Sequence, residues 1–160
     1  MKKVVKFGGS SLASAEQFKK VGNIIRKEES RRYVIPSAPG KRTPDDTKVT
    51  DMLYSCYGQA ILGEDAERDF EEQLEVIKER YNSIIRGLNL DLSLDEEFKT
   101  IRTNFSKKIG RDYADSRGEY LNGIIMAAYL GYEFIDAAEV IVFDENGNFT
   151  GLSIDYTEGY

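Results

Sequence analysis

Lys6-Phe7-Gly8-Gly9-Ser10-Ser11 puts a cation, two glycines and two hydroxyls at the end of a β-branched and aromatic run, Val4 to Phe7. Glycines admit φ > 0 and let backbone N–H groups come close to an anion. A lysine at the strand end supplies a point charge for developing negative charge. Such a turn suits phosphate chemistry, although a Gly-Gly pair after a strand also makes plain turns. The spacing is neither Gly-x-x-x-x-Gly-Lys-Ser/Thr nor Gly-x-Gly-x-x-Gly, so a bound phosphate would be held by another scheme. In that scheme the lysine precedes the glycines, and the loop amides face the transferred group.

Three further clusters carry polar chemistry. Ser37 lies in Pro36-Ser37-Ala38-Pro39-Gly40-Lys41-Arg42-Thr43-Pro44, a stretch that holds all three prolines of the chain and excludes helix or central strand. Ser37 is a ligand candidate or an ordinary turn serine, and Lys41 and Arg42 read as solvated surface charge. Thr50-Asp51 opens a helical pattern with Thr50 as a possible N-cap. In Ser116-Arg117-Gly118-Glu119 the glycine falls in what reads as the first turn of a helix. There it costs about 1 kcal/mol against alanine unless a ligand or another backbone needs the room. Glu119 can receive a substrate ammonium, or simply favour a helix start. Asp115 can cap that helix, and Arg117 can hold a carboxylate or brace the loop.

Composition removes several alternatives. There is no histidine and a single cysteine, Cys56, so histidine-activated nucleophiles, zinc sites and intrachain disulfides are excluded. No metal site is read from the residues themselves. A net charge of -6, from 28 acidic and 22 basic side chains, argues against nucleic-acid binding. No run approaches the ~18 apolar residues of a membrane span, and the start lacks a secretory apolar region. The expected setting is reducing and cytoplasmic.

These residues need a frame. Val4 to Phe7, an amphipathic helix over 15–29 and Tyr33-Val34-Ile35 make a βαβ unit with parallel strands, whose lack of clean alternation suits a sheet covered on both faces. Ser14 and Gln17 form a capping box, and Phe18, Val21, Ile24 and Ile25 share a face. Ligands of open α/β sheets gather at the C-terminal strand ends, where Lys6 and Ser37 fall. Residues 49–61 read as a helix burying Val49, Leu53 and Tyr57. A long helix over 66–86 follows, with Phe70, Leu74, Ile77, Tyr81 and Ile84 on one face. A third helix begins at a Ser93–Glu96 capping box and carries Phe98, Ile101, Phe105 and Ile109. Arg117 to Leu130 is a further helix with Leu121, Ile124, Ile125 and Ala128 inward, closed by Gly131. Phe134-Ile135-Asp136 is the expected third sheet strand. Val140 to Phe143 is extended, and Glu145-Asn146-Gly147-Asn148 is a hairpin turn. Extended material without a covering helix suggests a polypeptide cut short of its natural end.

Lys6-Phe7-Gly8-Gly9-Ser10-Ser11, Ser37-Ala38-Pro39-Gly40-Lys41, Val49-Thr50-Asp51-Met52-Leu53 and Ser116-Arg117-Gly118-Glu119, in this order, resemble the aspartokinases of the amino acid kinase superfamily. Ser10 stands where the family commonly has threonine. The resemblance implies a three-layer α/β/α fold with a mostly parallel sheet, incomplete here, and a helical excursion over about 49–115. Residues 1–160 would form the N-terminal portion of the catalytic domain, without the rest of that domain or the C-terminal ACT domains. It further implies phosphorylation of the β-carboxylate of L-aspartate by ATP with Mg2+, giving 4-phospho-L-aspartate for lysine, threonine and methionine biosynthesis. The full-length enzyme would be a homo-oligomer with no nucleic-acid or membrane partner, and the 160-residue piece alone would be inactive. By the same resemblance Lys6 stabilises the phosphoryl group, and Gly8, Gly9 and Ser10 surround it. Ser37, Thr50 (with Thr43 as a rival) and Glu119 contact the substrate, and Arg117 joins them as a candidate. Glutamate, acetylglutamate or carbamate kinases, and a non-catalytic ligand-binding module, are the alternatives.

Overall fold

The computed structural model describes residues 1–144, 146 and 149–152. Strand β1 (Lys3–Phe7) leads through a 3-10 turn (Gly9–Leu12) into α1 (Ala15–Arg26) and back to β2 (Arg31–Pro36). The two strands pair in parallel, with Lys6 opposite Ile35 and Phe7 opposite Pro36. Ser14 caps α1 by accepting a hydrogen bond from Gln17 N at 3.5 Å. Phe18, Val21 and Ile25 are buried, whereas Ile24 faces outward.

Period-two alternation sorts the strand residues. Val5, Phe7 and Val34 pack against the core. Val4 (64% exposed) and Ile35 (50% exposed) lie on the other face with Tyr33 and Lys6. The expected two-sided cover is therefore present on one face only among the described residues, where the helix over 111–130 packs against β2.

A loop over 37–48 separates β2 from α2 (Val49–Leu62), and α3 (Glu67–Gly87), α4 (Asp95–Ser106) and α5 (Arg111–Leu130) follow without an intervening strand. Val49 and Leu53 are buried, as are the α3 residues Phe70, Leu74, Ile77, Tyr81 and Ile84. Phe98, Ile101 and Phe105 of α4 join them, while Ile109 is exposed. The helix starts differ from expectation. Lys48, not Thr50, is the N-cap residue of α2, so Thr50 sits inside the first turn. Ser93 accepts from Asp95 N at 3.2 Å, while Glu96 pairs with Lys99 instead of closing a capping box.

Helix α5 begins at Arg111, after Gly110 at φ 142. Gly118 and Glu119 are therefore in its middle, and Asp115 is no cap. Leu121 and Ile125 are buried, Ala128 is exposed, and Gly131 closes the helix at φ 71. Phe134-Ile135-Asp136 is not a strand. The Phe134 ring meets Tyr120 edge-on at 5.5 Å and covers the open surface of Gly123. Asp136 caps the short α6 (Ala137–Val140). An antiparallel pair, β3 (Ile141–Phe143) and β4 (Phe149–Leu152), ends the described chain. Of the expected Asn-Gly turn, Glu145, Gly147 and Asn148 lie outside the described residues.

Candidate functional site

At the C-terminal ends of β1 and β2 two loops cross. Gly40 N donates to Gly9 O at 2.8 Å, and Ser37 N donates to Phe7 O at 3.0 Å. A Cβ on Gly40 would lie 2.6 Å from Gly9 C, and one on Gly9 would lie 2.8 Å from Ala38 O. Both glycines are thus required by the close approach of backbone to backbone. Gly118 does the same for α5, since a Cβ there would lie 2.7 Å from the Ala38 Cβ. The neighbour that needs this room is the second strand-end loop.

The crossing forms an open cleft of about 480 Å³. Gly9 and Ser10 come from the first loop, and Ser37, Ala38, Pro39, Gly40 and Lys41 from the second. Lys48 and Thr50 enter from the start of α2, and Glu119 from α5. Five of the residues singled out from the sequence, Gly9, Ser10, Ser37, Thr50 and Glu119, therefore share one wall system. Thr50, and not Thr43, lines it.

Gly8, Lys6 and Arg117 are not in this wall. Gly8 precedes the 3-10 turn in extended conformation with open space around it. Lys6 is exposed on the open face of β1, one residue before the strand end, and makes no side-chain ion pair among the described residues. Arg117 stacks between Tyr113 at 4.5 Å and Tyr120 at 4.4 Å. It lines a separate depression of about 140 Å³ with Glu96 and Glu97 of α4. Sequence reasoning missed Lys48 and treated Lys41 as possible surface charge. The signal for Lys48 is its place directly before a helix start, where its ammonium and the free N–H groups of the first turn together favour an anion.

Glu119 within the wall, and Asn122 and Arg80 behind it, hold the second loop. Glu119 Oε1 accepts from Ala38 N at 3.2 Å. Asn122, fully buried, donates Nδ2 to Ser37 O at 2.6 Å, and its Oδ1 is buried without a partner. Arg80 of α3 donates to Gly40 O at 2.7 Å and to Asp46 at 2.7 Å. The Arg42 guanidinium beside Asp46 holds its carboxyl well below the usual carboxylate range, and Arg80 adds to the effect. Tyr81 O–H donates to Gly118 O at 2.8 Å. Burial, with the Glu119 charge as a lesser cause, raises that phenol well above its ordinary value. Burial likewise pushes the Cys56 thiol up to about 12, which leaves it inert as a nucleophile.

One carboxylate, two ammonium groups, two serine hydroxyls and a threonine around an open cleft suit a small zwitterion and an anion side by side. The donor set does not build a cation site. Glu119 is the one carboxylate in the wall, and among the described residues no group of three or more metal-ligating side chains occurs.

Residues 1–157 match the amino acid kinase family. The chain is 36% identical over 171 residues to aspartokinase 3 of Bacillus subtilis, covering 99% of the chain and 37% of that protein. It is 34% identical to the chloroplastic aspartokinase 1 of Arabidopsis thaliana, over 88% of the chain and 25% of the relative. The crystal structure of Clostridium acetobutylicum aspartate kinase, an allosteric enzyme, superposes with a TM-score of 0.84 at 49% identity, over 93% of this chain and 34% of that one. Escherichia coli aspartokinase III, solved with aspartate and ADP, gives a TM-score of 0.69 at 19% identity, covering 97% of this chain and 35% of its own. At that identity the likeness shows the fold alone. The chain thus spans between a quarter and two fifths of the length of these relatives, and on the strength of the match over residues 1–157 it belongs to the amino acid kinase family.

Proposed function

We propose that this chain supplies the amino-acid side of an aspartate kinase, which transfers the γ-phosphoryl group of ATP to the β-carboxylate of L-aspartate. The observation that carries the reading is the assembly of Glu119, Thr50, Ser37 and Ser10 around one cleft, in a chain 49% identical to an aspartate kinase of known structure. A β-carboxylate oxygen attacks the γ-phosphorus, the bond to the bridging oxygen breaks, and ADP leaves with that electron pair. A carboxylate is already nucleophilic at neutral pH, so no general base is needed. The work is alignment of two anions and relief of their repulsion.

Glu119 takes the substrate ammonium. Thr50 and Ser37 offer hydroxyls to its carboxylates, with Lys41 and Lys48 supplying positive charge on the same side. Gly8, Gly9 and Ser10 form the turn beside the transferred group, and Lys6 approaches it from the strand end. Arg117, held between two rings of its own helix, lies outside the cleft and is given no binding role. Mg2+ would arrive on the nucleotide phosphates, since it prefers phosphate and water oxygens to a single carboxylate. The reading includes a cytoplasmic, homo-oligomeric enzyme at the start of lysine, threonine and methionine biosynthesis. Residues 1–160 are its N-terminal catalytic portion, with a helical sub-lobe over about 49–115. The lone buried thiol suits a reducing setting, and no described helix is long and apolar enough to cross a membrane.

The test replaces the matching segment of the Clostridium acetobutylicum enzyme with residues 1–160 and traps acyl phosphate with hydroxylamine. The expected result is aspartyl hydroxamate that depends on ATP and L-aspartate. Glu119→Gln should raise the KM for aspartate ~10–100-fold, the range of a lost charge-assisted hydrogen bond. A folded chimera that phosphorylates glutamate or carbamate and leaves aspartate untouched would refute the assignment.

A further inference from the structure

Arg80 is the one buried cation of the described chain, 4% exposed on the core face of α3 beside Ile77, Tyr81 and Ile84. A guanidinium in that position is costly unless every contact compensates it. Its three acceptors are all on the cleft loops and none is on a helix. Nη2 donates to Gly40 O at 2.7 Å and to Ala13 O at 3.2 Å, and Nη1 donates to Asp46 Oδ2 at 2.7 Å. Nε is left without a partner, so the fork reaches outward to the loops at the expense of its own saturation. Ala13 ends the turn that carries Ser10. Gly40 and Asp46 bracket Lys41 on the second loop. Asp46 is fixed in turn by Arg42, whose N, Nε and Nη2 all donate to it. Neither Arg80 nor Asp46 lines the cleft.

We infer that Arg80, with Asp46 as its counter-ion, is a positioning residue that sets the separation of the two cleft loops and so the distance from Ser10 to Lys41 across the site. This deepens the aspartate kinase reading and rests on it for its catalytic meaning. A lysine at 80 would carry its three donors on one atom, without the planar fork that uses two separate nitrogens here. It could not span a carboxylate and two carbonyls at once. The Gly40 N–H to Gly9 O bond is the reporter, because it joins the same loops and touches no ligand group.

The experiment measures amide hydrogen exchange of the 160-residue chain by NMR for Arg80→Met, Arg80→Lys and Asp46→Asn, with L-aspartate affinity by calorimetry on the same samples. Exchange at Gly40 should rise ~10-fold or more in Arg80→Met and less in Arg80→Lys, while amides in the middle of α5 keep their protection, as expected for local opening. L-Aspartate affinity should fall in the same order. If Arg80→Met does not fold, Arg80→Lys and Asp46→Asn carry the same expectation. Unchanged protection at Gly40 in folded variants overturns the inference. So does raised exchange with aspartate affinity equal to wild type, which would make Arg80 merely structural. If the wild-type chain binds no aspartate, the kinase reading is what suffers, and the clamp stands or falls on the exchange result alone.

Discussion

Two regions of this molecule are held by opposite means. Among α2 to α5 the contacts are large rings. Phe105, fully buried, meets Tyr57 at 5.3 Å, Tyr113 at 6.3 Å and Phe70 at 6.5 Å. At the crossing of the 8–13 and 37–48 loops the contacts are backbone atoms, with Gly9, Gly40 and Gly118 allowing the approach and Arg80, Asn122 and Glu119 satisfying carbonyl and amide groups. The first region gains stability from apolar area and tolerates small shifts of shape. The second has little area to lose. Its integrity depends on a few polar bonds and on the absence of three β-carbons. The candidate cleft therefore stands on a scaffold whose stability comes from elsewhere, so stability and ligand binding should respond to different substitutions.

The largest effect on stability should come from the ring cluster. Phe105→Ala should cost about 3–5 kcal/mol in urea unfolding. L-Aspartate affinity of the folded protein should stay within ~2-fold, since distant sites act independently; a large loss of affinity would dissolve the division between the regions. Gly40→Ala should show the inverse. Its Cβ would sit 2.6 Å from Gly9 C, which forces the loops apart at a cost of about 1–3 kcal/mol, and calorimetry should show aspartate affinity reduced beyond what that loss of stability explains. The smallest effect belongs to Arg117→Leu. Removal of a cation between two rings should lower stability by about 1–2 kcal/mol and leave aspartate affinity unchanged; a strong affinity loss would return Arg117 to the cleft.

The helices of the first region were legible because their apolar residues recur at three and four. The same spacing contained an unread clue, since Arg80 falls between Ile77 and Tyr81 on the inward face of α3. A cation in that register means a buried partner, and only the fold reveals that the partners are loops far off in the chain. The sequence pattern sets the start of α5 too late, because Gly118 reads as part of a first turn. It is a mid-helix contact with Ala38, and Gly110 with Asp112 marked the true start. Phe134-Ile135 has strand composition, yet its ring is taken up by the bare surface of Gly123, and such long-range packing overrides local propensity. Ser10, Ser37, Thr50 and Glu119 stand out in the sequence as motif residues. Their convergence depends on the crossing of two loops, which no local pattern encodes. Lys6 shows the converse, because strand alternation sets it on the outer face although its motif is the most conspicuous in the chain.

Glu119 serves two masters. One oxygen is already engaged by the Ala38 amide, and on the proposed reading the other is left to receive an incoming amine. A glutamine in its place would have to turn its carbonyl toward Ala38 and its NH2 toward the cleft. The pocket would then present hydrogen to hydrogen where an amino acid enters, and would suit a hydroxy or keto acid better. On the proposed reading, discrimination between amino acids and their oxygen analogues is built into the bond that anchors the loop.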